Sequence, residues 1–404
     1  KQTLIATSNP VGLSAGFTNL FLSAGDYFVE VDGVGFGNPT ASNPTGYSDY
    51  GSLGQYYISG SIIQPDTNSG GGGGGNLPAV GITSAPVVVV EGLTNNQTVT
   101  YTVGLDGTSN QTITVKYATQ NGSATAGSDY TSTAGTLTFN PGETAKAIAI
   151  PILNDNLNEP DETFVLALGD PTNASLGKVT QITTTITDTL TAAVTTTLPN
   201  RVENLTLTGS NNINATGNNG NNIIIGNSGN NIINGKNGID QLTGMGGNDL
   251  FDLGGIKGSS HRKTITDFSN GDRLGLSSNL TSRSSGGSPR LQNISQNPSV
   301  TLNAANADIF VLNFDNTEAD VDLSKATNGS HLLDGLNSAP GSANLSTQAN
   351  GDQGYLLAYD NNNAYLYHFG AGSDNSVKAW EIRLIATLDN IPVGSLTANQ
   401  FTFT

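Results

Sequence analysis

The sequence of 404 residues contains no cysteine, which excludes disulfide frameworks, thiolate metal sites and cysteine nucleophiles. Positive charge is also scarce, with 15 Lys and Arg against 32 Asp and Glu and a net charge of −17. Nucleic acid and anionic lipid both require Lys/Arg patches, so neither is an expected partner. No apolar run approaches the roughly 20 residues of a membrane-spanning helix, so no membrane span is expected. Histidine occurs three times (His261, His331, His368) and never as H-E-x-x-H, which removes the usual zinc-hydrolase signature. Gly12–Gly16 reads GLSAG, a formal G-x-S-x-G without the strand-to-helix context of a nucleophile elbow. The single tryptophan, Trp380, is poor material for an aromatic carbohydrate platform. Lys1 is preceded by no initiator methionine and followed by no signal-peptide pattern, as in a processed product or part of something longer. No catalytic residue is assigned, and the expectation is a non-enzyme.

What the chain does have is glycine, 51 residues of it, among abundant Thr, Asn and Ser. That mixture suits short strands and tight turns and suits long helices badly, so the expected class is all-β. An acidic surface attracts hard cations, Ca²⁺ first among them, because these take oxygen ligands. Six segments separate along the chain. Residues 1–66 carry strand-like runs such as DYFVEVDG, and 67–76 form a glycine-rich linker. Residues 77–189 alternate with period two: Val99, Tyr101 and Val103 share one face, as do Ile148, Ile150 and Ile152, and Phe164, Leu166 and Leu168. About seven such segments separated by NG, PG and DP turns predict a β-sandwich. A linker is expected over 190–208, a repeat region over 209–255, and a β-rich C-terminal domain over 256–404. Within the last, GYLLAYDNNNAYLYHFG reads as a hairpin turning at Asp360–Asn363, and DVDLSKATNGSHLLDGL as the one short helix.

The repeat reads GNNGNNIII, GNSGNNIIN, GKNGIDQLT, GMGGNDLFD from Gly217 onward. Glycine holds positions one and four, Asn222, Asn231, Asp240 and Asp249 hold position six, and Ile224, Ile233, Leu242 and Phe251 hold position eight. Positive φ at the glycines, turn carbonyls meeting the position-six oxygens and apolar residues turned inward predict stacked turns around a narrow core, since one unit cannot bury its own. The pattern resembles the RTX (haemolysin-type) calcium-binding β-roll, consensus G-G-x-G-x-D-x-U-x. The resemblance implies a parallel roll with two nonapeptides per turn and Ca²⁺ between stacked loops, bridged by Asn222 with Asp240 and by Asn231 with Asp249. Asparagine in the first two repeats removes a formal charge from each site and lowers the expected affinity.

Within 77–189, VVVVEG is followed by GSATAGSDY, GTLTFNPGET, the acidic NDNLNEPDE, FVLAL and ITTTITD. This order resembles a Calx-β domain along its full length. The resemblance implies calcium ligands at one end of the sandwich: Glu91, Asp129, Asp155, Glu159, Glu162 and Asp188. If Glu91 and Asp188 end strands that run to the same rim, six carboxylates converge there, and a divalent cation removes their repulsion. Asn154, Asn156 and Thr189 stand where some members place further aspartates, so one or two ions are expected.

Residues 1–66 resemble the later part of a pre-peptidase C-terminal type sandwich, and the missing first strands imply an open sheet edge. ITDFSNGDRLGLSS and LTANQFTFT resemble the tails of RTX exoproteins, which implies type I secretion, and the residue usage resembles that of cyanobacteria. The combined expectation is a secreted calcium-binding scaffold or adhesion protein at the cell surface, self-associating into homo-oligomers or filaments through the open edge. The alternative is the non-catalytic region of a secreted protease.

Overall fold

The computed structural model describes residues 36–38, 45–47, 77–155, 157–256, 259–282, 288–294, 299–315, 322–325, 327–335 and 344–404. Strands make up nearly all of its regular structure, and the one α-helix among the described residues is Ser330–Gly335. The chain divides into two units, Lys1–Gly60 and Ser61–Thr404. In the first, β1 (Phe36–Asn38) pairs antiparallel with β2 (Thr45–Tyr47). The remainder of the expected partial sandwich, its open edge, the GLSAG segment and the 67–76 linker lie outside the described residues.

The second unit opens with a sandwich. One sheet holds β3 (Ala79–Ile82), β5 (Thr98–Leu105), β8 (Ala145–Pro151) and the short β10 (Ser175–Leu176), in the order β10-β3-β5-β8. The other holds β4 (Val87–Val90), β6 (Ile113–Asn121), β7 (Ala134–Phe139), β9 (Glu162–Thr172) and β11 (Gln181–Thr187), in the order β4-β11-β9-β6-β7. The alternation fixes which side faces in: along β5 the valines and Tyr101 are buried and the threonines at 98, 100 and 102 exposed. Between the sheets Tyr130 stacks on Phe164 with centroids 4.3 Å apart. The Tyr101 hydroxyl crosses the core to the Thr184 hydroxyl. Each fully buried side chain of this size favours folding by about 1.5–3 kcal/mol.

No linker follows. Residues 190–208, expected to be one, are instead drawn into strands, because Thr189, Leu190, Thr191 and Ala192 pair directly with Asn204, Leu205, Thr206 and Leu207. These are β12 (Thr189–Ala192) and β14 (Asn204–Leu207), with β13 (Thr196–Thr197) between them. A parallel coil continues through β15 (Ala215–Thr216), β16 (Ile223–Ile225), β17 (Ile232–Asn234), β18 (Asp240–Thr243), β19 (Leu250–Asp252), β20 (Lys263–Ile265) and β21 (Arg273–Leu276). Even-numbered strands stack in one sheet and odd-numbered ones in the other. Across the repeats the pairing advances by two nonapeptides per turn, Ile223 to Gln241 and Ala215 to Ile233. Ile224, Ile233, Leu242 and Phe251 are fully buried between the two sheets.

The glycines play two roles. At position four, Gly238 and Gly247 take positive φ, 100° and 116°. At position one the reason is steric: a Cβ on Gly217, Gly226, Gly235 or Gly244 would overlap the position-six side chain five residues on. The left-handed residue at position two of the last two repeats is not glycine but Lys236 and Met245.

The expected boundary at 255/256 does not separate the sheets, because the coil runs on. β22 (Leu291–Ile294), β23 (Ser299–Leu302), β24 (Ile309–Asp315), β25 (Asn344–Thr347), β26 (Gln353–Asp360), β27 (Asn363–Gly370), β28 (Ser376–Val377), β29 (Ile382–Leu388) and β30 (Phe401–Phe403) follow. β29 pairs with β20 and β30 with β21, so the C-terminus extends the coil's two sheets. β26 and β27 form the expected hairpin with Asp360 opposite Asn363. Asn361 and Asn362 both have positive φ, 47° and 64°, as a type I′ turn demands. The expected helical segment is a 3₁₀ turn at Leu323–Lys325 and the short helix Ser330–Gly335.

Candidate metal centre at the rim of the sandwich

β4 and β11 are parallel neighbours with Val90 opposite Thr187, so the next residues, Glu91 and Asp188, leave the sheet side by side. The Glu91 amide donates to the Thr187 carbonyl at 2.8 Å, which holds the turn in place. Asp129 comes from the turn before Tyr130, its carboxylate accepting from the Thr125 amide at 2.6 Å. The acidic loop wraps over both: the Asp155 amide and the Asn154 side chain donate to Glu91 Oε1 at 3.2 and 3.1 Å. The Glu159 amide donates to Asp188 Oδ2 at 2.5 Å. Glu162 opens β9. Carboxylate oxygens of Asp129, Glu159 and Glu162 lie within 4.8 Å of one another.

All six carboxylates named from the sequence are therefore at one rim, in two adjoining groups: Asp129, Glu159 and Glu162, and Glu91, Asp155 and Asp188. Among the described residues no Lys or Arg forms an ion pair with any of them. Burial, reinforced by the nearby Asp188, pushes Glu91 up to about 7. Burial and the neighbouring Asp129 push Glu162 up to about 7. Glu159 and Asp188 are also raised, by burial first and by their acidic neighbours after it. Hard oxygen donors that repel one another, with Glu91, Asp129 and Asp188 buried and Glu159 and Glu162 half-buried, fit a hard divalent cation.

A seventh carboxylate, Glu203, joins the rim, and the sequence reading missed it. It precedes β14, is 7 % exposed, and is pushed up to about 7 by burial, then by Asp188, Glu91 and Asp155. It stood in a stretch read as linker. The usable signal was faint: RVENLTLTG has the acid and the alternating apolar residues of a coil strand but lacks the nonapeptide glycines.

In the coil the position-six residues line up as expected, Asn222 beside Asp240 and Asn231 beside Asp249, but direct bonds join them. The backbone amides of Asn222 and Asn231 donate to Asp240 Oδ1 and Asp249 Oδ1 at 2.8 and 2.7 Å. The Asn222 side-chain amide donates to the Glu203 carbonyl at 3.1 Å, and that of Asn231 to the Ile213 carbonyl at 2.6 Å. The counter-charge expected of calcium at Asp240 comes instead from Lys263, whose fully buried ammonium lies 2.5 Å from Asp240 Oδ2. That ammonium also donates to the carbonyls of Lys236 and Gly238 at 2.6 and 3.1 Å. Among the described residues Asp249 has no such partner, and it is raised to about 6, by burial and then by Asp272 and Asp267.

His368 packs edge-on against Tyr355 at 5.8 Å within the C-terminal sheet, and His331 Nδ1 bonds the Asp322 carbonyl at 2.8 Å. Both belong to the packing of the fold.

Residues 76–190 match the profile of the Calx-beta domain. The chain is 50 % identical over 62 residues to sodium/calcium exchanger 2 of Rattus norvegicus, which is 15 % of this chain and 7 % of the exchanger. It is 46 % identical over 59 residues to sodium/calcium exchanger 1 of Canis lupus familiaris, 15 % of this chain and 6 % of that protein. The matched segment is thus less than a tenth of either exchanger's length. Among solved structures, the apo-form Calx CBD1 domain is similar at 26 % identity and a TM-score of 0.26, covering 28 % of this chain and 97 % of that one. CBD12 from CALX1.2 is similar at 25 % identity and a TM-score of 0.27, covering 30 % and 52 %. The Calx-beta segment ends at the residues where β12 begins the coil, and the rim carboxylates Glu91 to Asp188 all lie within it.

Proposed function

We propose that the rim of the Calx-beta sandwich binds calcium, and that the protein is a calcium-stabilised structural or adhesion protein of the cell surface without catalytic activity. The observation that carries the first statement is the pairing of Glu91 and Asp188 at the ends of adjacent parallel strands, with Asp155 folded over them and no ammonium alongside. The match to a domain shared with sodium/calcium exchangers supports the same ion. Export and surface attachment rest on the resemblance of the repeats and of the C-terminal segments to RTX exoproteins, and assembly into filaments on the open sheet edge expected of residues 1–66.

Calorimetric titration of the full chain with CaCl₂ tests the site. Saturable binding is expected, lost in the double variant Glu91→Gln, Asp188→Asn. Bound calcium at a hundredfold excess over its Kd should stabilise the fold by about 2.7 kcal/mol. Equal binding by the double variant, or none by the native chain, refutes the assignment. Electron microscopy of native material with and without chelator tests assembly.

A further inference from the structure

The register of the coil places Glu203 in a row with the rim. Thr189 pairs with Asn204, Asn204 with Ile223, Ile223 with Gln241, and Asp240 with Lys263. One rung before those pairs stand Asp188, Glu203, Asn222 and Asp240, with Lys263 completing the row. Five consecutive strands thus present one line of side chains, which begins at the last carboxylate of the sandwich and ends at a buried ammonium. At the far end the chain supplies its own cation, and Lys263 neutralises Asp240 while taking two turn carbonyls. Asn222 in the middle is neutral and bridges Asn218 and the Glu203 carbonyl. At the near end, Asp188 and Glu203 are adjacent acids with no ammonium paired to them among the described residues.

Glu203 is held there firmly. A Cβ at Gly92, whose φ is +68°, would overlap the Arg201 carbonyl, so the turn after Glu91 sits directly on the segment leading to Glu203. Asn154 reaches across to the Arg201 carbonyl at 3.2 Å, and Asn204 donates to the Asn158 side chain at 2.7 Å. Yet among the described residues Glu203 Oε2, on a residue only 7 % exposed, has no hydrogen-bond partner. A buried carboxylate oxygen left without donor or counter-ion costs free energy, unless something absent from the polypeptide completes it.

We propose that Glu203, outside the Calx-beta segment, supplies a ligand oxygen to the divalent cation at the Glu91–Asp155–Asp188 end of the rim, so that one ion joins the sandwich to the coil. This rests on the calcium reading of the rim and adds that the site is incomplete without the coil. The cation does at this end of the row what Lys263 does at the other. Calcium occupancy then determines how firmly the first coil strand is held to the sandwich.

The test uses the full chain, with calcium as the only ligand, and compares the native protein with Glu203→Gln and with Asp170→Asn, an exposed acid paired to Lys116. Glu203→Gln is expected to weaken one calcium site by about tenfold or more, as loss of a charged ligand does, and Asp170→Asn to leave it unchanged. Hydrogen exchange supplies a second readout that does not depend on the variant folding. In the native protein calcium should slow exchange of amides 202–208 as well as those near 91 and 188. Native-like affinity in Glu203→Gln, or calcium protection confined to the sandwich, overturns the proposal and leaves the rim site standing. Absence of any calcium binding to the native chain overturns both.

Discussion

At the scale of single residues the rim is a store of electrostatic strain. Glu91, Glu162 and Glu203 are each raised to about 7 because burial and acidic neighbours disfavour the charged form. In the unfolded chain the same groups titrate near the ordinary value of about 4.3. Their folded pKa values lie above the unfolded ones, so the folded state binds more protons between these limits. Their contribution to stability is greatest below about pH 4 and is lost as pH rises toward 7. Without calcium the protein should therefore unfold at lower urea concentration at pH 8 than at pH 5. Calcium should reverse that order, because it competes with protons for the same oxygens and favours the charged forms. Urea midpoints at the two pH values, with chelator and with excess calcium, check this. A chelated midpoint that rises from pH 5 to pH 8 contradicts the account.

At the scale of elements, the coil solves the problem of buried acids by two means. In the first two repeats asparagine carries its own donor, and the amide nitrogens of Asn222 and Asn231 satisfy carbonyls of the neighbouring turn. In the third, Asp240 is neutralised by Lys263, and burial lowers the lysine while raising the aspartate, each opposed by the other's charge. The nonapeptide glycines and position-eight residues made the stacked turns legible in the sequence, and two repeats per turn was implied by the RTX resemblance. Lys263 was not legible because it lies beyond the last repeat, and the return from β18 to β20 is longer than the preceding turns. Periodicity cannot place a residue whose spacing breaks the period. Replacing Lys263 with Met should cost about 3–5 kcal/mol, as leaving a buried carboxylate without its partner does. The double variant Lys263→Met, Asp240→Asn should recover much of that loss. Urea unfolding of Lys263→Met, Asp240→Asn and the double variant against the native chain measures the coupling, and purely additive losses would mean the pair is not a unit.

At the scale of the whole second unit, the sequence separated sandwich, linker, roll and C-terminal domain because its composition changes at those points. Composition follows local geometry, whereas sheet continuity depends on pairings remote in sequence, and those erase two of the boundaries. Thr189 follows Asp188 directly into the coil, and β29 and β30 return from the C-terminus to extend it. One apolar cluster consequently runs from Leu198 to Phe401, while the sandwich keeps a separate core from Val80 to Ile186. Phe401 is buried against that cluster, and its strand is the sixth of its sheet, covering the edge that β21 would otherwise leave open. Phe401→Ala should cost about 3–5 kcal/mol through the cavity it leaves. Because cluster and sheets are continuous, that loss should appear throughout the coil and not only at the C-terminus. Hydrogen exchange should show amides of β16–β21 losing protection together, while β5, β8 and β9 keep theirs. If a cation joins Glu203 to the rim as proposed, calcium should restore part of the lost protection in the variant from the opposite end of the coil. Fraying confined to β30, with β16–β20 unchanged, would show that the coil's turns open independently and that its length, not its C-terminal strand, sets its stability.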